Sequence, residues 1–272
     1  IQVLFFSKSA AYEHDVLYRH TAWPSFAETE MFKLGKENHI VFTFSKDGSI
    51  FTPQNIAKYD AFIFYTSGDL IKDQRNGWGD NYEMMTVPGR NALLQAIRNG
   101  KGFVGLHSAI DTFSEAARPD DDYPALLGAD YIGHNELQAG HLIQVDKNFP
   151  GMERVPADYQ PFDQWYALKN FHPDVHVIMA LNCSQMTGSL YDRRNYPIAW
   201  ARMEGKGRVF YTSMGHTRAV WEDPVFQQMI LAAVRWAAGQ VDADITPNLG
   251  KVTPHANEIP ARAGRSAHAM AP

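Results

Sequence analysis

A single cysteine, Cys183, among 272 residues leaves no intramolecular disulfide to form, and by itself favours neither a reducing nor an oxidising compartment. No apolar stretch approaches the roughly 20 residues that cross a bilayer. Basic charge is not in excess: 25 lysines and arginines stand against 30 acidic residues, a formal net charge of -5. Nucleic acid is therefore not an expected partner, because binding phosphate needs a basic face. No initiator methionine precedes Ile1. Removal of an upstream segment is expected, a signal peptide being one candidate; with it the protein is bacterial periplasmic or secreted, and without it cytoplasmic.

What is present suits one large domain, expected over residues 1–240. Val3–Phe6, Ile40–Phe44, Ala61–Tyr65 and Phe103–Leu106 are continuous apolar runs of strand length, fit for strands covered on both faces. Helical spacing over Ala22–Leu34, through Trp23, Phe26, Ala27, Met31 and Leu34, predicts a helix with Gly35 as its C-cap. A second helix is expected over Asn91–Arg98. This alternation predicts an α/β fold, a doubly wound and mostly parallel sheet with helices on both faces. Leu142–Val145, Val175–Met179 and Ile198–Ala201 lack long helices between them and predict an antiparallel extension. A strand over Gly207–Ser213 and an amphipathic helix over Pro224–Ala238 close the pattern. Beyond it, residues 241–272 are dominated by proline, alanine and small polar residues, which predicts an extended or disordered tail.

The most informative stretch is Gly102-Phe103-Val104-Gly105-Leu106-His107-Ser108-Ala109. A buried strand that ends in small residues has the geometry of a nucleophile elbow, here with histidine at the exposed position. His107 is then a base or a metal ligand, its side chain pointing into a cleft and supporting few core contacts; the alternative is a histidine that merely packs at a strand end. Ligands of open parallel sheets bind outside the carboxyl ends of the strands. His14 follows the first strand, His216 the last, and Ser67-Gly68-Asp69 the third, so a pocket bordered by His14, His107 and His216 is expected there. Asp111 could orient the His107 imidazole across one helical turn or cap the segment after it.

His134 and His141, with Glu136 between them, flank a short loop, and their separation suits two ligands on opposite sides of a turn, with His107 as a further candidate. Histidine and carboxylate favour zinc, iron or manganese. A divalent metal such as zinc stands against a metal-free pocket in which the histidines act as acid, base and hydrogen-bond donors. Asp163, Trp165 and Tyr166 could grip a sugar ring by hydrogen bonds and a flat apolar face, or could be a core strand with aromatic residues.

These segments carry a resemblance. Lys8–Asp15, Gly102–Ala109, Gly128-Ala129 with Gly133-His134, Asp163–Tyr166, Gly205–Tyr211, Gly215–Thr217 and Trp236–Gly239 together resemble the ThuA-like (trehalose utilisation) family over nearly all of Ile1–Gly239. The resemblance implies the class I glutamine amidotransferase-like fold, a flavodoxin-like arrangement, and a role in bacterial sugar metabolism. Two departures matter. His107 stands where the amidotransferase relatives carry cysteine, so thioester chemistry on glutamine is not expected, and Cys183 lies far from any elbow. Gln164 stands where the family's pattern usually has an acid, which weakens any role needing charge there.

Two classes of function remain. One is a hydrolase or lyase that cleaves the glycosidic bond of a sugar already oxidised to a ketone, using a histidine base with a metal or histidine to polarise the carbonyl. The other is a non-catalytic sugar-binding or accessory protein. Asp69 and Glu136 join Asp163, Trp165 and Tyr166 as expected sugar contacts, and a homo-oligomer is compatible with either class.

Overall fold

In the computed structural model, residues 1–20, 24–72, 78–113 and 122–260 are described. The chain opens with β1 (Gln2–Phe6) and α1 (Phe26–Asn38), then β2 (Val41–Ser45), α2 (Pro53–Ile56), β3 (Ala61–Phe64), α3 (Val87–Arg98) and β4 (Gly102–Leu106). It continues through α4 (Asp122–Leu127), β5 (Asp130–His134), β6 (Gln138–Ala139), β7 (Leu142–Gln144), β8 (Phe162–Asp163), β9 (Tyr166–Lys169) and β10 (His176–Leu181). β11 (Tyr196–Glu204), β12 (Gly207–Thr212), α5 (Arg218–Glu222), α6 (Pro224–Ala237) and α7 (Leu249–Val252) complete it.

Eight strands form the main sheet in the order β2-β1-β3-β4-β12-β11-β10-β7. The first five run parallel, and β11, β10 and β7 follow, each antiparallel to the strand before it. β3 and β4 are buried at every residue, because strands sandwiched between helical layers have no solvent face. α6 packs on β3, β4 and β12 through the buried stripe Phe226, Met229, Ile230, Ala233, Val234 and Ala237, whose three- and four-residue spacing keeps one face on the sheet. Asp223 caps it by accepting the Val225 amide, and Pro224 supplies a pre-set first turn. The fold is thus the doubly wound α/β sheet with an antiparallel extension.

Some boundaries differ from expectation. α1 begins after a capping box, in which the Ser25 hydroxyl accepts from the Glu28 amide and the Glu28 carboxylate from the Ser25 amide. The first two residues of the expected helix, Ala22 and Trp23, lie outside the described residues. Gly35 is not the C-cap: the helix runs on to Asn38, and His39 takes the left-handed conformation at φ 57°. Gly35 is needed for close approach instead, since a Cβ there would come within 2.6 Å of the Ile40 carbonyl and the Phe42 ring.

Two small sheets, β5–β9 and β6–β8, sit apart from the main one. Residues 241–260 include α7 and are bound to the body: Asn248 makes both amide bonds to the Val177 backbone, and Asn257 both to that of Phe171. Residues 261–272 lie outside the described residues. No helix among the described residues is long and apolar enough to cross a membrane.

Candidate active site

Three loops that leave the carboxyl ends of β1, β4 and β12 bring His14, His107 and His216 together. Each offers one ring nitrogen, and these nitrogens lie within 4.8 Å of one another. Ring centroids are 4.9 Å apart for His14 and His107, 5.0 Å for His14 and His216, and 5.2 Å for His107 and His216.

His107 is the pivot. It has φ +45°, a conformation rare for residues with a side chain, at the point where β4 passes into a 3₁₀ turn over His107–Asp111. The elbow is therefore present, but the side chain is fully buried and not loose in a cleft. It packs on Tyr166 at 4.2 Å and Tyr65 at 5.7 Å between centroids. Its Nδ1 is 2.7 Å from the Ser213 carbonyl oxygen. A carbonyl can only accept, so Nδ1 carries the hydrogen, and in a neutral ring Nε2 is left with its lone pair. That nitrogen lies 3.2 Å from His216 Nδ1. With both ring nitrogens so occupied, Asp111 does not orient His107. Its charge acts on Tyr131, Tyr166 and Tyr211, whose hydroxyls it helps hold in the protonated form.

His216 is placed by its neighbours. Asp163 is buried and accepts the Gly215 amide at 2.7 Å through Oδ2 and the Thr217 amide at 3.0 Å through Oδ1. The Gly215 carbonyl accepts from Tyr65 Oη at 3.0 Å and Trp221 Nε1 at 2.7 Å. Gly215 itself has φ +125°, which only glycine adopts without strain. Burial pushes the Asp163 carboxyl up to about 7, against the pull of the amides it receives.

The loop carrying His14 is held by buried charge. Lys8 Nζ meets Asp80 Oδ1 at 2.8 Å, and Lys46 Nζ meets Glu13 Oε1 at 2.7 Å and Asp80 Oδ2 at 3.5 Å. Asp80 also accepts the Ser9 amide at 2.7 Å. Both lysine side chains are fully shielded from solvent.

Burial lowers the pKa of all three histidines; repulsion from His216 adds to it at His14 and, with that from His14, at His107, while His134 adds to it at His216, which falls to about 4. They are neutral at pH 7, the form that ligates metals. Tetrahedral zinc at about 2.0–2.1 Å from nitrogen sets its ligands roughly 3.3 Å apart, close to the His107–His216 separation. The Ser213 carbonyl plays the part of the outer partner that fixes a ligating imidazole. His14 Nδ1, buried with no hydrogen-bond partner among the described residues, adds an unmet donor or acceptor to the group. These three residues could hold a divalent cation.

The other expected site residues are dispersed. His134 ends β5 and stacks on Tyr166 at 5.8 Å, near the three but not in their ligand set. His141 lies elsewhere, at a cavity of about 400 Å³ with Gln144, Lys147, Asp158 and Tyr159. His134 thus belongs to the β5–β9 sheet and His141 directly precedes β7 of the main sheet, and neither joins a group of three potential ligands among the described residues. Trp165 offers no face to a sugar: its indole is fully buried against Gly140 and donates to the Gln138 carbonyl. Asp163, bound to loop amides, positions His216 and does not face a ligand. Asp69 is buried, with Oδ1 on the Ile71 amide and Oδ2 3.1 Å from Lys72 Nζ; Glu136 is exposed. Cys183 is buried, its thiol pushed up to about 12, and no part of the site. Lys8, Lys46 and Asp80 were not legible as site supports, since buried lysines look like surface ones in sequence.

Residues 2–237 match the model of the family described as ThuA, trehalose utilisation. The chain belongs to that family. Among solved structures, a ThuA-like protein from Bacteroides uniformis is 20% identical, with 87% of this chain and 90% of that one covered at a TM-score of 0.64. One from Parabacteroides merdae is 17% identical, covering 90% and 92% at 0.61. A cytoplasmic protein from Salmonella typhimurium is 10% identical, covering 87% and 99% at 0.57. At these identities the likeness is one of fold. No curated protein sequence matches the chain. This ThuA-like protein is thereby related to carbohydrate utilisation.

Proposed function

We propose that this ThuA-like protein is an enzyme that cleaves the glycosidic bond of a keto-sugar by histidine- and metal-assisted acid/base chemistry. The observation that carries the reading is the group of three neutral imidazoles, His14, His107 and His216, at the carboxyl edge of a parallel sheet. An ordinary glycosidase needs two carboxyl groups flanking the bond. This group contains none, and Asp163, the buried acid beside it, is committed to the Gly215 and Thr217 amides.

A ketone removes the need for paired acids because it acidifies the neighbouring C–H. The leaving oxygen must then lie one carbon beyond that C–H, which for cleavage at C1 puts the ketone at C3. A divalent cation such as zinc, when bound, supplies a Lewis acid for the carbonyl oxygen. The protein's own part is to hold three ligands in their neutral forms: Ser213 fixes His107, Asp163 fixes the loop of His216, and the Lys8–Lys46–Asp80 network fixes that of His14.

Elemental analysis of purified protein, together with a screen of oxidised and unoxidised disaccharides, tests this. One divalent ion per chain, lost in His14→Ala and His216→Ala, and turnover confined to the keto forms are expected. Binding of sugar without metal or turnover would favour a non-catalytic accessory role instead.

A further inference from the structure

Resting on the reaction just proposed, we infer that His134 is its general base, removing the proton beside the sugar ketone while the three other histidines face the carbonyl oxygen.

His134 sits at the end of β5, where the pairing with β9 shifts register between Tyr131 and Gly133. Such irregularities re-aim the side chains that follow them and recur beside active sites. Here the imidazole lies nearly parallel to Tyr166, at 15° and 5.8 Å, and Tyr166 in turn lies 4.2 Å from His107. Both histidines therefore touch one tyrosine, and their ring centroids are at most about 10 Å apart. Unlike His107, His134 is open to solvent and outside the ligand set, so its ring is free to carry a proton in and out.

Its tautomer is also set for the task. Nδ1 lies 3.2 Å from the carbonyl oxygen of Asn135, so Nδ1 carries the hydrogen and Nε2 keeps its lone pair. Partial burial lowers the pKa, partly offset by the Asn135 carbonyl and by the charge of Glu136, which leaves a neutral base at pH 7. A positive charge on His134 also depresses the pKa of His14, His107 and His216, which sets it near all three.

The step balances without a co-reactant. Nε2 takes the proton from C2, and the C–H electron pair becomes the C2–C3 double bond of an enolate with its charge on the ketone oxygen. As the carbonyl re-forms, the pair moves to make a C1–C2 double bond and the C1–O bond breaks. The leaving alkoxide takes the proton back from the His134 imidazolium. An enone and a free alcohol result, and water adding at C1 completes a net hydrolysis.

The test compares metal-loaded full-length wild type with His134→Gln on a glucoside oxidised at C3. The variant is expected to keep the metal content and KM of wild type, to lose roughly 100-fold or more in kcat, and to lose exchange of the C2 hydrogen with D₂O. Independently of turnover, ¹⁵N NMR of the wild type is expected to show His134 protonated at Nδ1 and bare at Nε2. A kcat within about threefold of wild type, metal loss matching that of His14→Ala, or a His134 protonated at Nε2 would each overturn this assignment while leaving the parent reaction standing. A wild type without metal, turnover or exchange would instead overturn the parent reaction, and the role of His134 with it.

Discussion

Asp80→Asn removes one negative charge from the centre of a buried network while changing volume hardly at all. In the native protein Asp80 receives Lys8 at 2.8 Å, Tyr82 N at 3.1 Å, Ser9 N at 2.7 Å and Lys46 at 3.5 Å. Asparagine presents an NH₂ group to donors on one side and leaves two ammonium groups, both fully shielded; among the described residues Lys46 keeps Glu13 as a carboxylate partner and Lys8 keeps none. Removing one partner of a buried pair costs about 3–5 kcal/mol, since the desolvation penalty stays while the attraction goes. For a domain of this size that is a fall in Tm of roughly 10 °C. The loss is expected to resist salt, because screening acts weakly on charges that water does not reach. The network sets the Ser7–His14 loop, so affinity for zinc should fall as well. Guanidinium denaturation at two salt concentrations and zinc titration of the variant measure both effects. A loss below about 1 kcal/mol would refute the view that this network, and not local packing, holds the loop of His14.

Three further outcomes are expected. His107→Ala should abolish turnover and metal binding, and, since the ring is buried and bonded to Ser213, should also cost about 1–3 kcal/mol; an unchanged denaturation midpoint would contradict the burial. Cys183→Ser should leave activity intact, because the thiol is buried away from the elbow, and lost turnover in a folded variant would show the chemistry to be misplaced. The pKa of folded His216 is about 4, so between about 4 and 6.5 the unfolded chain binds the additional proton, and the contribution of this ring to stability is present above 6.5 and lost as pH falls. Stability of the metal-free protein should therefore fall more on acidification than that of His216→Gln, by at most about 3 kcal/mol given partial exposure of the ring, and parallel pH profiles would refute it.

The parallel sheet is legible in the sequence because a strand covered on both faces must be apolar throughout, and Val3–Phe6, Ala61–Phe64 and Phe103–Leu106 are. The meeting of His14, His107 and His216 follows from the same fact, since loops after neighbouring parallel strands converge whatever their distance along the chain. The small sheets were missed because β6 and β8 are two residues long and β5, Asp130–His134, is only partly buried and carries no continuous apolar run, and His134, Trp165 and Tyr166 all depend on them.

Sequence alone thus determined the scaffold, the elbow at His107 and the edge of the sheet where chemistry belongs, because periodicity and strand order act through the backbone. Tertiary structure alone decided which polar side chains face one another: that His134 and His141 part company, that Trp165 is core, that Asp163 serves the His216 loop, and that two lysines lie buried on Asp80. Those choices turn on separations of a few ångströms between segments far apart in the chain, where desolvation and hydrogen-bond geometry act and local pattern carries no record of them.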